Sequence, residues 1–208
     1  MKHFLFLLLT IILSSCDKDK NLSDYENGII NGVVVDKTTG EVIFGATVFL
    51  KGYEITGDII NPGPTFDVAT TTSANNGKFF FDFNYEDKNG YFCSGYSEMY
   101  WDLQEEFDID VEIYNGNVNA QVSLQPKAWM SVHIKNVNTY EPSDYISISD
   151  IGIFYGNEVD TSIIDLVLGN YSNLIVWGVV LNGIPPSEND SDNVYCPSFD
   201  TTYYEILY

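Results

Sequence analysis

Apolar and polar residues alternate one by one through much of this chain, and the alternating runs are short. Met130, Val132 and Ile134 interleave with Ser131, His133 and Lys135, the period of a strand with one face buried. Residues 29–35, 46–50, 78–83, 107–114, 120–124, 129–134, 145–155, 162–168, 173–181 and 202–207 are rich in β-branched and aromatic side chains and read as strands. The run 173–181 is apolar on both faces and predicts a strand central to its sheet. Turn signals separate these runs: Thr39-Gly40, Asn61-Pro62-Gly63, Asn76-Gly77, Asn89-Gly90, Asn115-Gly116, Gly156-Asn157, Gly169-Asn170 and Asn182-Gly183. Helix signals are nearly absent. The pattern predicts an all-β chain of short strands, the signature of β-sandwiches.

The N-terminus follows a different rule. Lys2 precedes a ten-residue apolar run, residues 4–13, and Ser14-Ser15 then lead into Cys16. A run of that length reaches about 15 Å as a helix, roughly half the hydrocarbon thickness, so it cannot span a membrane. The order of charge, apolar run, small residues and Cys is similar to a bacterial lipoprotein signal. That resemblance implies cleavage after residue 15, lipidation of Cys16 and attachment to a membrane through acyl chains. A plain secretory signal with an incidental Cys is the alternative. Residues 16–28, with Asp17, Lys18, Asp19 and Lys20 and no hydrophobic period, read as a flexible tether.

A second pattern begins at residue 29. Gly32-Val33-Val34-Val35-Asp36 leads through Gly40 to Gly45-Ala46-Thr47-Val48-Phe49-Leu50. Thr70-Thr71-Thr72 follows, then Asn76-Gly77-Lys78-Phe79-Phe80-Phe81. Gly40 suits a turn out of the first strand, and Asn76-Gly77 is a favoured two-residue hairpin turn ahead of an aromatic strand. This order resembles the carboxypeptidase regulatory-like domain, a transthyretin-like β-sandwich, and the resemblance covers residues 29 to about 83 best. The chain departs from the family at Ser73, where the family often carries Asp. It also departs at residues 52–69, which read as a lengthened loop with Pro62 and Pro64. From Gln125-Pro126 the pattern restarts without a recognisable family. The expected organisation is therefore a signal over 1–15, a tether over 16–28, a carboxypeptidase regulatory-like sandwich over 29–125 and a second sandwich over 126–208.

Charge removes one class of function. The chain of 208 residues carries 30 Asp and Glu against 9 Lys and no Arg, a formal charge of −21. Nucleic-acid binders neutralise phosphates with clustered cations, and this chain would repel them. The 15 Tyr suit strands and also suit binding surfaces. Tyr91, Tyr96, Tyr100 and Trp101 form the densest group with an exposed look and are the candidate ligand-binding residues. With Cys16 lipidated, Cys93 and Cys196 remain as a candidate disulfide in an oxidising compartment. Closing a loop of about 100 residues would contribute about 4–5 kcal/mol in the chain-entropy view, while two separate buried thiols is the plainer alternative.

Catalytic and metal chemistry find little material. Glu106, Asp108, Asp110 and Glu112 alternate with apolar residues, which sets them about 7 Å apart on one strand face. Calcium needs roughly six to eight converging oxygens, so a solvated face that discourages edge pairing is the reading. Residues 187–193, Ser-Glu-Asn-Asp-Ser-Asp-Asn, form a second acidic stretch, expected on a loop and lacking the EF-hand spacing; an exposed polar turn is the reading, with a Ca²⁺ site on the loop as the alternative. His133 is expected on the polar face of a strand, and a Cys–His pair with Cys93 or Cys196 is left open. Neither a nucleophile elbow nor a phosphate loop occurs. The sequence thus points to no enzyme, no metal and no cofactor. The leading expectation is a lipid-anchored envelope protein, at the outer membrane, serving as a scaffold or protein-interaction module. The alternative is a surface lipoprotein that binds carbohydrate and presents glycans to an outer-membrane importer, motivated by the Tyr and Trp content. A fimbria-like subunit rests on fold analogy alone.

Overall fold

The computed structural model describes residues 26–55, 63–101, 117–186 and 189–208. Cys16, the signal, most of the tether and the acidic run 106–112 lie outside them. The described chain is all-β, with 13 strands in four sheets. The first half holds β1 (Glu26–Asp36), β2 (Thr47–Glu54), β3 (Thr65–Thr72), β4 (Lys78–Tyr85), β5 (Asn89–Tyr96) and β6 (Asn117–Leu124). They form sheets ordered β4-β1-β6 and β3-β2-β5. Between the sheets lie Ile30, Val34, Phe79, Phe81 and Val122 from one and Val48, Leu50, Tyr91 and Cys93 from the other.

The second half holds β7 (Lys127–Lys135), β8 (Tyr145–Ile148), β9 (Gly152–Tyr155), β10 (Asp160–Leu168), β11 (Tyr171–Val180), β12 (Asp190–Cys196) and β13 (Thr201–Leu207). Their sheets run β10-β7-β13 and β12-β11-β8-β9. Here Met130, Val132, Ile134 and Ile206 face Ile146, Ile148, Ile175, Val194 and Cys196 across a second core. Alternation explains the assignment, since β7 reads buried at each even position from Ala128 to Ile134.

The two halves are one topology used twice. β1 pairs antiparallel with β4 and parallel with β6, and β7 pairs antiparallel with β10 and parallel with β13. In the facing sheets, β3-β2-β5 matches β9-β8-β11, and β12, on the outer edge of β11, has no counterpart among the described residues of the first half. Local hydrogen bonds fix the residue correspondence. Thr38 N–H donates to Asp36 Oδ1 at 2.7 Å and Asn138 N–H to Asn136 Oδ1 at 2.8 Å. Next to these turns Lys37 N–H donates to Leu124 O at 2.9 Å and Val137 N–H to Tyr208 O at 2.8 Å. Counting back from Asp36 and Asn136 makes Ile30 equivalent to Met130 and Gly32 equivalent to Val132. Across the ladder, Phe79, Phe81 and Phe83 then correspond to Ile163, Asp165 and Val167.

Several expectations change. β1 starts at Glu26 and pairs Gly28 with Phe83, so residues 26–28 belong to a sheet and not to the tether. β2 and β3 form a hairpin paired as far as Tyr53↔Thr65, which shortens the expected loop over 52–69. Asn76-Gly77 is a tight turn, with Gly77 at φ 72°, but it joins β3 and β4, which sit in different sheets. It is an arch and not a hairpin. Residues 145–155 split at a turn into β8 and β9. Asp190–Asn193 lie on strand β12, not on a loop.

Ser73 shows how the arch is held. Its hydroxyl accepts from Ala46 N–H at 2.9 Å and donates to Ile43 O at 2.8 Å, and the side chain is buried. An ionised aspartate at this place could accept from Ala46 but could not donate to Ile43. Ser73→Ala leaves both groups without this partner in a buried site, so a loss of about 1–3 kcal/mol is expected, read as a lower denaturation midpoint.

Candidate functional site

The four aromatic residues singled out from the sequence do not form one surface. Tyr91 is buried in the first core, its ring 5.0 Å from Phe83, and its hydroxyl accepts from Glu86 N–H at 3.0 Å. Tyr96 lies at the exposed far end of β5, about 17 Å away at strand rise. Period-2 alternation turns these two to opposite faces. Tyr100 and Trp101 follow the strand and enter the junction between the two sandwiches.

That junction is a dense set of contacts. Trp101 N–H donates to Gln125 O at 2.9 Å, and Lys127 N–H to Met99 O at 3.0 Å. The Trp101 indole Nε1 donates to Val167 O at 3.2 Å, and the buried Gln125 Nε2 to Gly169 O at 2.7 Å. Gly169 N–H donates to Pro126 O at 2.8 Å and Phe199 N–H to Lys127 O at 2.8 Å. A Cβ on Gly169 would lie 2.7 Å from Lys127 O, so the close approach requires glycine. Asn170 Nδ2 reaches across to Thr38 Oγ1 at 3.0 Å. The Tyr100 ring meets Phe199 edge-on at 5.4 Å, and its hydroxyl donates to the Asp36 carboxylate. Burial opposes the charge on Asp36, but hydrogen bonds from Thr38, Thr39 and Tyr100 outweigh it and hold the pKa below the usual value. Burial, then the Asp36 charge, pushes Tyr100 up to about 12.

Beside Trp101 the second sandwich opens into a cleft of about 330 Å³. It runs along β10 from Asp165 to Leu168, with the Ser149-Asp150-Ile151 turn and Asn173 to Ile175 of β11 opposite and Met130 at its floor. Asp165 faces the inside of the sandwich, paired across the ladder with buried Met130. Its Oδ1 accepts from Leu166 N–H at 3.0 Å. Asn173 is already engaged: Oδ1 accepts from Leu168 N–H at 3.2 Å, and Nδ2 donates to Leu168 O at 2.9 Å. Sequence reasoning picked out Trp101 and missed Asp165, because residues 163, 164, 166, 167 and 168 are all apolar and no alternation marks the inward face of this strand.

Cysteine chemistry separates cleanly. Cys93 and Cys196 are free, buried thiols, one in each core, so the candidate disulfide is not formed. Burial pushes the Cys93 thiol up to about 12, which keeps it protonated and unreactive. His133 sits on the outer face of β7, away from both thiols, so no Cys–His pair exists. Asp192, expected in a loop, accepts from the Tyr204 hydroxyl at 3.0 Å across the sandwich edge.

His133 is held between two carboxylates from the strands flanking β7. Its Nε2 is 2.7 Å from Asp160 Oδ1, and its Nδ1 is 3.0 Å from Glu205 Oε1; Lys135 Nζ lies 3.3 Å from Asp160 Oδ2. The hydrogen bond with Asp160, then that with Glu205, raises the His133 pKa above 6.5. A raised folded-state pKa contributes stability that is full below the unfolded value and is lost as pH rises through the folded value. NMR titration is expected to place His133 above 6.5, with Asp160→Asn lowering it more than Glu205→Gln. The stability difference between the protein and His133→Gln should shrink as pH rises through that pKa.

No protein-family model matches the chain, and no curated protein matches it. Among solved structures it is similar to the Bacillus anthracis TIE protein (TM-score 0.34, 12% identity, 87% of this chain and 34% of that one). It is also similar to GBS52, the minor pilin of Streptococcus agalactiae (TM-score 0.38, 11% identity, 86% and 94%). A streptococcal ancillary pilin gives TM-score 0.39 and 13% identity over 88% and 63%. The chain spans about a third of the length of the TIE protein.

Proposed function

We propose that this protein is a non-enzymatic scaffold or protein-interaction module of a bacterial cell envelope, lipidated at Cys16 and holding two sandwiches in a fixed relation beside the membrane. The observation that supports this reading best is the junction. Backbone and side-chain hydrogen bonds from Trp101, Gln125, Lys127, Gly169 and Asn170 tie the halves together over a two-residue link, Gln125-Pro126. Domains joined by so short a link and so many directional bonds have little freedom to swing, which suits a spacer or platform. Among the described residues, Cys93 is held protonated by burial and His133 lies between two carboxylates, which suits a non-enzymatic role.

Metabolic labelling with a palmitate analogue tests the anchor. Label is expected on the protein and is expected to vanish in Cys16→Ser. Cross-linking in intact envelopes tests the role, with recovery of a specific protein partner as the expected result. Specific glycan binding with no protein partner would overturn the scaffold reading and favour the carbohydrate-presenting alternative. Small-angle scattering completes the test: a single rigid envelope is expected, and a broad distribution of orientations would remove the supporting observation.

A further inference from the structure

The repeated topology makes one residue conspicuous. Asp165 occupies in the second sandwich the place that Phe81 occupies in the first. Phe81 is 4% exposed and packs against Phe79 with ring centroids 5.8 Å apart. On one side, side-chain volume is redistributed between the paired strands and not lost. Gly32 opposite Phe79 becomes Val132 opposite Ile163, whereas on the other side Gly28 opposite Phe83 becomes the smaller pair Ala128 opposite Val167. At the middle pair volume is also lost, and there a carboxylate replaces the ring. Ile30 opposite Phe81 becomes Met130 opposite Asp165, and the cleft of about 330 Å³ lies at this point. That volume is within the usual range for small-ligand sites, about 300–1,000 Å³.

We propose that this cleft binds a cationic group on an apolar stem, an amine or a guanidinium, with Asp165 as its counter-ion. Asp165 is a half-buried carboxylate on the inward side of β10, placed to face an opposite charge in the cleft. Among the described residues no Lys, Arg or His lines the cleft, while Asp150 on the facing turn adds a second carboxylate. The second oxygen of Asp165 has no hydrogen bond among the described residues, its partner Oδ1 taking Leu166 N–H. Apolar walls from Met130, Val167 and Ile175 suit the stem, and Trp101 brings an indole. Because Nε1 of that indole is engaged by Val167 O, its π surface is what it offers a ligand, which favours cations. The amide of Asn173 is engaged as well. A neutral polyol would find the hydroxyls of Ser149 and Tyr171 as side-chain donors, whereas a cation needs acceptors alone, which Asp165 and Asp150 supply. The chain's charge of −21 raises the local concentration of cations around the cleft. This reading is independent of the scaffold role.

The test uses ¹⁵N-labelled protein and follows the Trp101 indole resonance, assigned through Trp101→Phe. Agmatine probes a free cation, capped arginine methylamide probes the side chain of a basic protein segment, and a glucose trisaccharide probes a polyol. Saturable shifts are expected with both cations, weakened about tenfold in the nearly isosteric Asp165→Asn, as loss of a charged hydrogen-bond partner implies. Asp150→Asn, on an exposed turn, is expected to weaken binding less. Tighter binding of capped arginine than of agmatine assigns the site to a protein segment, and the reverse order assigns it to a free amine. Saccharide binding without cation binding, no shift with either cation, or equal cation affinity in Asp165→Asn would each overturn the proposal.

Discussion

Gly32→Val is expected to destabilise the first sandwich by about 3 kcal/mol, the upper part of the range for overpacked cores. A Cβ at Gly32 would stand 2.0 Å from Phe79 Cζ and 2.4 and 2.6 Å from the two Cε atoms. The ring cannot retreat, because Phe79 is 5% exposed and is packed edge-on against Phe81. Glycine is required at this place because a cross-strand aromatic ring covers it, and not for backbone reasons. The second sandwich solves the same position with Val132 opposite Ile163. Importing that pair as Gly32→Val with Phe79→Ile should therefore recover much of the loss. Chemical denaturation followed by circular dichroism measures the cycle, and a coupling of about 1–3 kcal/mol is expected for side chains in direct contact. Strictly additive losses would mean that the two positions are not equivalent.

How much of this was legible beforehand depended on which face of each strand water touches. β7 announced itself because Met130, Val132 and Ile134 are buried while His133 and Lys135 are not. β12 did not, since its first four residues are Asp190, Ser191, Asp192 and Asn193 and its first buried side chain is Val194. β5 was hidden by Asn89-Gly90, which signals a turn in isolation but here sits in the strand, with Gly90 beneath the ring of Tyr53 on β2. β3 was hidden by its polar surface, from Thr65 to Thr72. The aromatic group around Tyr91 and Trp101 was read as a surface because sequence proximity looked like spatial proximity. The partners of Trp101, at Gln125 and Val167, lie far along the chain. The duplication was invisible for a related reason. What the halves share is register and turn hydrogen bonding, while the residues at matched places differ: Ile30 and Met130, Gly32 and Val132, Phe81 and Asp165.

The last of these pairs carries the largest contrast. Phe81→Asp is expected to cost at least about 4 kcal/mol, since removing a buried Phe alone costs about 3–5 kcal/mol and the new carboxylate would have no partner in an apolar core. Against a typical total of about 5–15 kcal/mol, the first sandwich should be largely unfolded or lose most of its cooperativity. The reciprocal change, Asp165→Phe, should be tolerated, because it places a ring where a cleft already exists and removes a half-buried charge. Its expected signature is an unchanged or raised denaturation midpoint. One position, reached by the same ladder in two copies of one topology, would then be intolerant of a carboxylate in the first and tolerant of either residue in the second. A stability loss in Asp165→Phe as large as that in Phe81→Asp would show instead that the aspartate is a structural element of its own core, with the cleft a by-product of its packing.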